Sequence, residues 1–185
     1  MISRSGSLTT NWLRTMLDRM VQSARLRGSN FLELKEDPTA TGQASFVLAL
    51  AGTSFGFGFT MSIGVPGLWV LVGAILGALI GISLGFVWVS LTFVIGTRIF
   101  RATSDYWSLA RPIFFASSPG LVFLFMSFPI GFVVDIARAV GIAWIAIATV
   151  AAVRTALDID TQRSLLTFIL VTLIVTIGYG LVSSL

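Results

Sequence analysis

The side chains of this sequence that could carry out chemistry are a few carboxylates, because the chain contains no histidine and no cysteine. Two carboxylates that meet inside a membrane could act as acid and base, whereas metal or haem sites usually need histidine or cysteine ligands. The aspartates all fall at the ends of apolar segments, as Asp37, Asp105, Asp135, Asp158 and Asp160, or lie near the N-terminus, as Asp18. The sequence also lacks a Walker A phosphate-binding loop. We therefore predict a protein that is not an enzyme and that binds no metal or cofactor.

The composition is typical of an integral membrane protein. Charged residues make up 11% and hydrophobic residues 56% of the 185 residues, and the mean hydropathy is +0.95. Since a soluble domain carries about 25% charged residues, this chain cannot cover a water-exposed surface. The net charge of +4 does not indicate a nucleic-acid partner, because the arginines lie at segment ends and not in one patch. The expected partners are membrane lipids and other membrane chains.

The apolar segments predict an all-α, polytopic membrane protein with five transmembrane helices. The longest uncharged stretch, residues 38–97, is long enough for two helices across a hydrocarbon core of about 30 Å. The predicted crossings are Ala44–Ser62, Leu68–Thr97, Pro112–Val134, Ala139–Val153 and Ser164–Val182. They form a membrane domain of residues 38–185, which follows a cytoplasmic segment of residues 1–37.

The basic residues predict the orientation of these crossings. Residues 1–37, 98–111 and 154–163 together hold eleven of the twelve Lys and Arg residues, and Arg138 is the remaining one. Cytoplasmic loops of membrane proteins carry an excess of Lys and Arg. We therefore predict a protein of the cell's inner membrane, with its N-terminus in the cytoplasm and its C-terminus outside.

Residues 10–27 predict an amphipathic helix. The apolar residues recur at three- and four-residue steps, as Trp12, Leu13, Met16, Leu17, Met20, Val21 and Ala24, and Arg14, Arg19 and Arg25 take the other side. Such a helix can pack on the rest of the protein, or it can lie in the cytoplasmic headgroup layer. Because a membrane domain follows directly, we expect the second arrangement, with Trp12 buried and the three arginines facing anionic lipid.

A row of glycines in the second predicted crossing indicates a close contact between helices. Gly73, Gly77, Gly81 and Gly85 recur every four residues, which places them on one side of a helix. Such a bare strip lets another backbone approach closely, which is a main way in which helices associate in lipid. The expected partner is the pair Gly52 and Gly56 of the first crossing. The spacing does not decide whether the contact lies within one chain or between two.

The third predicted crossing contains a break at Ser117-Ser118-Pro119-Gly120. A proline removes one helical hydrogen bond, and nearby serine hydroxyls can interact with the freed carbonyls. We therefore expect this helix to be kinked or locally unwound. Broken helices form substrate sites in transporters, and helix packing is the alternative explanation.

Two tryptophans do not fit either interfacial belt of the predicted topology. Trp88 and Trp144 each lie ten residues before an arginine of the inner side, Arg98 and Arg154. At the rise of an α-helix both would lie about 15 Å deep, near the midplane. They either fill space against lipid and protein or contact a ligand or a partner helix.

The segment before the first crossing is the most distinctive in the chain. It reads Asp37-Pro38-Thr39-Ala40-Thr41-Gly42-Gln43-Ala44, and Asp37 before Pro38 is also a strong helix-start signal. Residues 25–44 as a whole, together with residues 95–98, 111–120 and 151–158, resemble prokaryotic members of the Yip family, the Ypt/Rab-interacting membrane proteins. The likeness extends over roughly residues 20–185.

This resemblance implies five membrane helices with a cytosolic N-terminus, in agreement with the charge distribution. Eukaryotic members of the family take part in vesicle traffic and bind small GTPases, and the sequence has no copy of their acidic-aromatic DLxGP-type motif. For prokaryotic members the family implies a membrane protein without catalysis. We therefore predict a protein that organises or assembles membrane components through contacts. The alternatives are an accessory or scaffold subunit of an energy-converting complex, and a small-molecule or lipid transporter.

Overall fold

The computed structural model describes residues 4–128 and 130–184, and within these ranges the chain is helical and contains no strand. The helices are α1 (Arg4–Ala24), α2 (Gly28–Glu36), α3 (Thr41–Ser62), α4 (Leu68–Arg98), α5 (Tyr106–Phe115), α6 (Gly131–Leu157) and α7 (Thr161–Ser183). A short 3-10 turn, Pro38–Ala40, leads into α3, and a 3-10 helix, Ser118–Ser127, follows α5. The all-α prediction is therefore confirmed.

Five helical segments of the described chain are long and apolar enough to cross a membrane, as the sequence predicts. They are Pro38–Ser62, Leu68–Arg98, Tyr106–Ser127, Gly131–Leu157 and Thr161–Leu181. The predicted second and fifth crossings agree closely with these bounds. The first begins at Pro38, where the Asp37-Pro38 signal predicts a helix start, and not at Ala44. The third and fourth begin earlier than the predicted starts at Pro112 and Ala139. The third ends at Ser127, so residues 131–134, the predicted end of this crossing, belong to the fourth.

Local contacts explain the early starts of the third and fourth crossings. The Asp105 carboxylate accepts a hydrogen bond from the backbone N–H of Trp107 at 3.1 Å, which caps α5 and lets the helix run through Pro112. In α6, Asp135 and Arg138 are three residues apart on one helix, with carboxylate and guanidinium 4.0 Å apart. The predicted loop charges are therefore compatible with a continuous helix.

The third crossing, α5 with its 3-10 continuation, lies at the centre of the bundle. In its most apolar stretch of 18 residues, 78% is buried inside the protein, compared with 6% for α4 and 17% for α7. The two outer helices, α4 and α7, therefore have most of their apolar side chains on the surface of the protein.

The three basic segments of the sequence meet at one end of the bundle, which we call the basic end. The Arg111 guanidinium of α5 donates to the backbone carbonyls of Leu34 and Lys35 in the last turn of α2. A Cβ added to Gly96 of α4 would lie 2.6 Å from the Leu157 side chain, so the C-terminal turns of α4 and α6 also meet here. Eleven of the twelve Lys and Arg residues therefore belong to segments at this end.

Candidate functional site

The contact that organises the basic end joins α1 to the segment before the first crossing. The guanidinium of Arg19 donates to the Glu33 carboxylate at 2.8 Å, to the Asp37 carboxylate at 2.6 Å and to the Gln43 side-chain oxygen at 2.9 Å. The Gln43 amide in turn donates to the backbone carbonyl of Trp12 at 3.3 Å. We call Arg19, Glu33, Asp37 and Gln43 the N-terminal latch, because they connect α1, α2 and α3.

Hydrogen bonds within the latch favour the charged forms of Arg19 and Asp37. Burial acts to lower the pKa of Arg19, but hydrogen bonds to Glu33 and Asp37 outweigh it and raise this pKa above its usual value. Burial likewise acts to raise the pKa of Asp37, and hydrogen bonds from Thr39 and Arg19 outweigh it and lower this pKa. The latch therefore holds an ionised pair in a partly dehydrated place.

The amphipathic pattern predicts that Arg19 faces lipid headgroups. In the structure Arg19 is instead only 8% exposed and is engaged in the latch. The face of α1 that packs on the bundle consists of Met16, Arg19, Met20 and Ser23, all buried. The pattern misses this face because a local repeat treats every arginine as solvent-facing. The other predicted surface residues, Trp12, Arg14 and Arg25, are exposed.

The outward side of α1 carries an apolar stripe. Leu13, Leu17 and Val21, spaced by four residues, are 46%, 54% and 48% exposed. Their spacing places them on one side of the helix. Trp12 lies on the inner face instead, with its ring 6.1 Å from that of Phe46 in α3. We call Leu13, Leu17 and Val21 the α1 stripe.

The distinctive segment before the first crossing has a structural role at each of its polar positions. The Asp37 carboxylate also accepts hydrogen bonds from the backbone and hydroxyl of Thr39, at 2.9 and 2.6 Å, and so caps the turn that starts at Pro38. The Thr41 hydroxyl donates to the Pro38 carbonyl at 2.9 Å. Gly42 is exposed, and a Cβ there would have no atom within 4 Å.

The four central glycines of the predicted seam come together within one chain. A Cβ added to Gly52 would overlap the carbonyl oxygen of Gly77, and one added to Gly56 would overlap that of Gly73. A Cβ on Gly77 would lie 2.8 Å from the Cα of Gly56. The backbones of α3 and α4 therefore touch directly, in antiparallel order.

The seam loosens toward the basic end. A Cβ on Gly81 would lie 3.0 Å from the Cα of Gly52. At Gly85 the nearest atoms belong to the side chain of Leu48, at 2.5 Å, and not to backbone. The predicted row is thus tightest at Gly73 and Gly77, in the part that lies away from the basic end.

At the predicted break, α5 ends at Phe115 and the 3-10 helix begins at Ser118. The hydroxyls of Ser117 and Ser118 donate to the carbonyls of Phe114 and Phe115. Ser117, Ser118, Pro119 and Gly120 are all buried, and a Cβ on Gly120 would lie 2.9 Å from the Cβ of Ala51. These contacts favour packing over a substrate site.

Trp144 contacts the N-terminal helix. Its indole N–H donates to the backbone carbonyl of Ala24, the last residue of α1, at 2.8 Å. Trp88 packs on Phe168 of α7, with ring centroids 5.3 Å apart. Both tryptophans therefore pack against helices of the same chain, and contact with a ligand or a partner helix stays a prediction.

Sequence reasoning missed the role of Arg111. This residue is 5% exposed, and its guanidinium donates to the carbonyl of Leu34 at 2.8 Å and to that of Lys35. A cation at these carbonyls stabilises the negative end of the α2 dipole. The available signal was a lone arginine within an otherwise apolar helical segment.

A scan of family models found no match for this chain, and searches of curated proteins and of solved structures found none either.

Proposed function

We propose that the chain is a non-catalytic, Yip-like integral membrane protein that organises or assembles membrane components through contacts with lipid and with other membrane chains. In this proposal the basic end lies in the cytoplasm and the C-terminus outside. The α1 stripe is the observation that carries the proposal. A helix that the latch fixes to the bundle, with an apolar stripe turned outward, needs a lipid or protein surface to cover that stripe.

The charges around the stripe favour a lipid surface. Arg14 is exposed on the same helix, and Arg25 and Arg27 are exposed in the turn that leads into α2. Basic residues beside an apolar helix face attract anionic headgroups, at about 1 kcal/mol for each Lys or Arg near the surface. We therefore infer that α1 lies along the cytoplasmic edge of the bilayer while its inner face stays on the bundle.

The lipid contact of the stripe can be measured with a fluorescent probe at single cysteines, since the chain has no native cysteine. We expect an NBD probe at Leu17→Cys to be quenched by nitroxide-labelled lipid in vesicles that contain anionic lipid. The same probe at the neighbouring Asp18→Cys, on the polar side, serves as the matched control and should be quenched much less. Equal quenching at both positions would contradict the lipid contact.

Labelling of two other single cysteines tests the orientation. Ser29→Cys lies at the basic end, and Ile63→Cys lies in the turn between α3 and α4, where Ile63 is 59% exposed. We expect a membrane-impermeant maleimide to label Ile63→Cys in intact spheroplasts and Ser29→Cys only after permeabilisation. The reverse pattern would contradict the proposed orientation.

The outer helices favour one alternative, an accessory subunit of a larger membrane complex. The exposed faces of α4 and α7 offer apolar surface for other membrane chains as well as for lipid. Isolation from native membranes in mild detergent separates the cases, since a subunit brings fixed partners in constant ratio. A transporter would instead give solute or lipid flux in liposomes that contain this chain alone.

A further inference from the structure

A pocket of about 540 Å³ opens at the basic end, where α2 meets the first turns of α3 and α5. Its walls include two cations, Lys35 and Arg111, two carboxylates, Glu36 and Asp105, and the side chain of Trp107. Its volume is within the range of about 300–1,000 Å³ that is common for small-molecule sites. The latch and the α1 stripe do not form part of this wall.

The four charges of the pocket are not paired with one another. In the described ranges, ion pairs within 4.0 Å are made by Arg19, Arg138 and Arg163. Opposite charges that share a partly enclosed space lower their electrostatic energy by pairing. Because no cation of the pocket lies within 4.0 Å of one of its carboxylates, a ligand that carries both signs can pair with them instead.

Arg111 supplies a buried donor to this pocket. Its Nε and Nη2 donate to the carbonyls at the end of α2, and its Nη1 donates to no group in the described part of the chain. Among the described residues, the one fully buried side-chain polar atom that lacks a hydrogen-bond partner is Oδ1 of Asn30. Arg111 Nη1 also lacks a partner, so it must be accessible from outside the protein. A guanidinium with a free donor at a pocket wall is well suited to a phosphate oxygen.

The position of the pocket is that of a lipid headgroup. Pro38 and Tyr106, where the first and third apolar segments begin, lie at this level, and Trp107 is 40% exposed beside them. Tryptophan is enriched where hydrocarbon gives way to headgroups. A group that carries both a phosphate and an ammonium could pair its phosphate with Arg111 and Lys35 and its ammonium with Glu36 and Asp105.

We propose that this pocket binds the zwitterionic headgroup of an ethanolamine phospholipid. The phosphate lies at Arg111 and Lys35, and the ammonium group lies at the two carboxylates. The proposal rests on the proposed membrane placement of the basic end. A purely anionic headgroup could pair with Arg111 and Lys35 but has no ammonium group to pair with Glu36 and Asp105.

Native mass spectrometry of the full chain tests this assignment. The protein is extracted from vesicles of equal phosphatidylethanolamine and phosphatidylglycerol, and the bound lipids are counted. We expect the wild type to retain phosphatidylethanolamine about tenfold better, because both lipids carry the phosphate and only the ammonium group adds a charge-assisted contact, at the two carboxylates. Glu36→Gln with Asp105→Asn should abolish the preference, and Lys35→Gln should lower the retention of both lipids.

The variants are chosen to leave the fold intact. Asn at position 105 can still accept the hydrogen bond from Trp107 that caps α5, and Arg111 is left unchanged because it holds α2. Asp135→Asn with Arg138→Gln, an exposed pair of α6 outside the basic end, is the matched control and should keep the preference.

Three results would overturn the proposal. The first is equal retention of both lipids by the wild type, and the second is a preference that survives Glu36→Gln with Asp105→Asn. The third is binding of soluble O-phosphoethanolamine as tight as that of the lipid, which would make the occupant a free phosphate ester. Failure of the lipid contact at Leu17 would instead concern the proposed function, so the two failures are distinguishable.

Discussion

Gly77→Ala should destabilise the bundle by about 3 kcal/mol or more, at the upper end of what overpacking costs. The added Cβ would overlap the carbonyl oxygen of Gly52 and would lie 2.8 Å from the Cα of Gly56. Both neighbours are backbone atoms of α3, so no side chain can rotate away and the two helices must separate. Thermal unfolding of the purified protein in mild detergent, followed by tryptophan fluorescence, measures the loss. Gly77→Ile should prevent the folded state from accumulating.

A graded series separates this contact from a general effect of replacing glycine. Gly178→Ala on α7 meets nothing within 4 Å and should leave the stability unchanged or slightly raised, since alanine favours helix. Gly85→Ala meets only the flexible side chain of Leu48 and should have a smaller effect than Gly77→Ala. Wild-type stability of Gly77→Ala would show that the two backbones do not touch there.

Arg19→Ala should release α1 from the bundle. The substitution removes the donor to the Gln43 oxygen and one donor to the Asp37 carboxylate, which keeps its hydrogen bonds from Thr39. Met16 and Met20 keep their apolar contacts. A hydrogen bond to a charged group contributes about 1.5–3 kcal/mol. Because the Glu33 and Asp37 side chains remain 57% and 24% exposed, water compensates part of the loss. We expect about 2 kcal/mol, which is roughly a 30-fold increase in the open fraction.

The rate of maleimide labelling at Ser23→Cys measures this opening, because Ser23 lies on the inner face of α1 and is fully buried. The rate should rise roughly 30-fold in the Arg19→Ala background. Arg14→Ala, which removes an exposed arginine of the same helix, is the matched control and should leave the rate unchanged. Arg19→Lys should give an intermediate rate, since a single ammonium cannot reproduce the fork of donors. An unchanged rate in Arg19→Ala would mean that the latch does not hold α1.

Much of this fold could be predicted from the sequence because lipid imposes a local rule. A segment that crosses hydrocarbon must be apolar for about 20 residues and must form its own backbone hydrogen bonds. The number of crossings follows from that rule, and so does the proximity of glycines spaced by four on neighbouring segments, since few other residues let helices touch. The same rule misplaces the starts of the third and fourth segments, because Arg111, Asp135 and Arg138 lie inside helices and not at segment ends. It also misplaces the end of the third segment, since the predicted end at Val134 lies inside α6.

The tertiary structure alone decided which charges are internal. Arg14, Arg19 and Arg25 are equivalent in the local pattern of α1, yet in the described part of the chain only Arg19 donates to side-chain acceptors, and these lie 14 to 24 residues further along the chain. Arg111 likewise meets the end of α2 across 77 residues. Hydropathy and periodicity describe the environment that a segment needs, whereas an ion pair depends on which segments the folded chain brings together. The latch and the charged pocket are both made from such distant partners, and so no local pattern could indicate them.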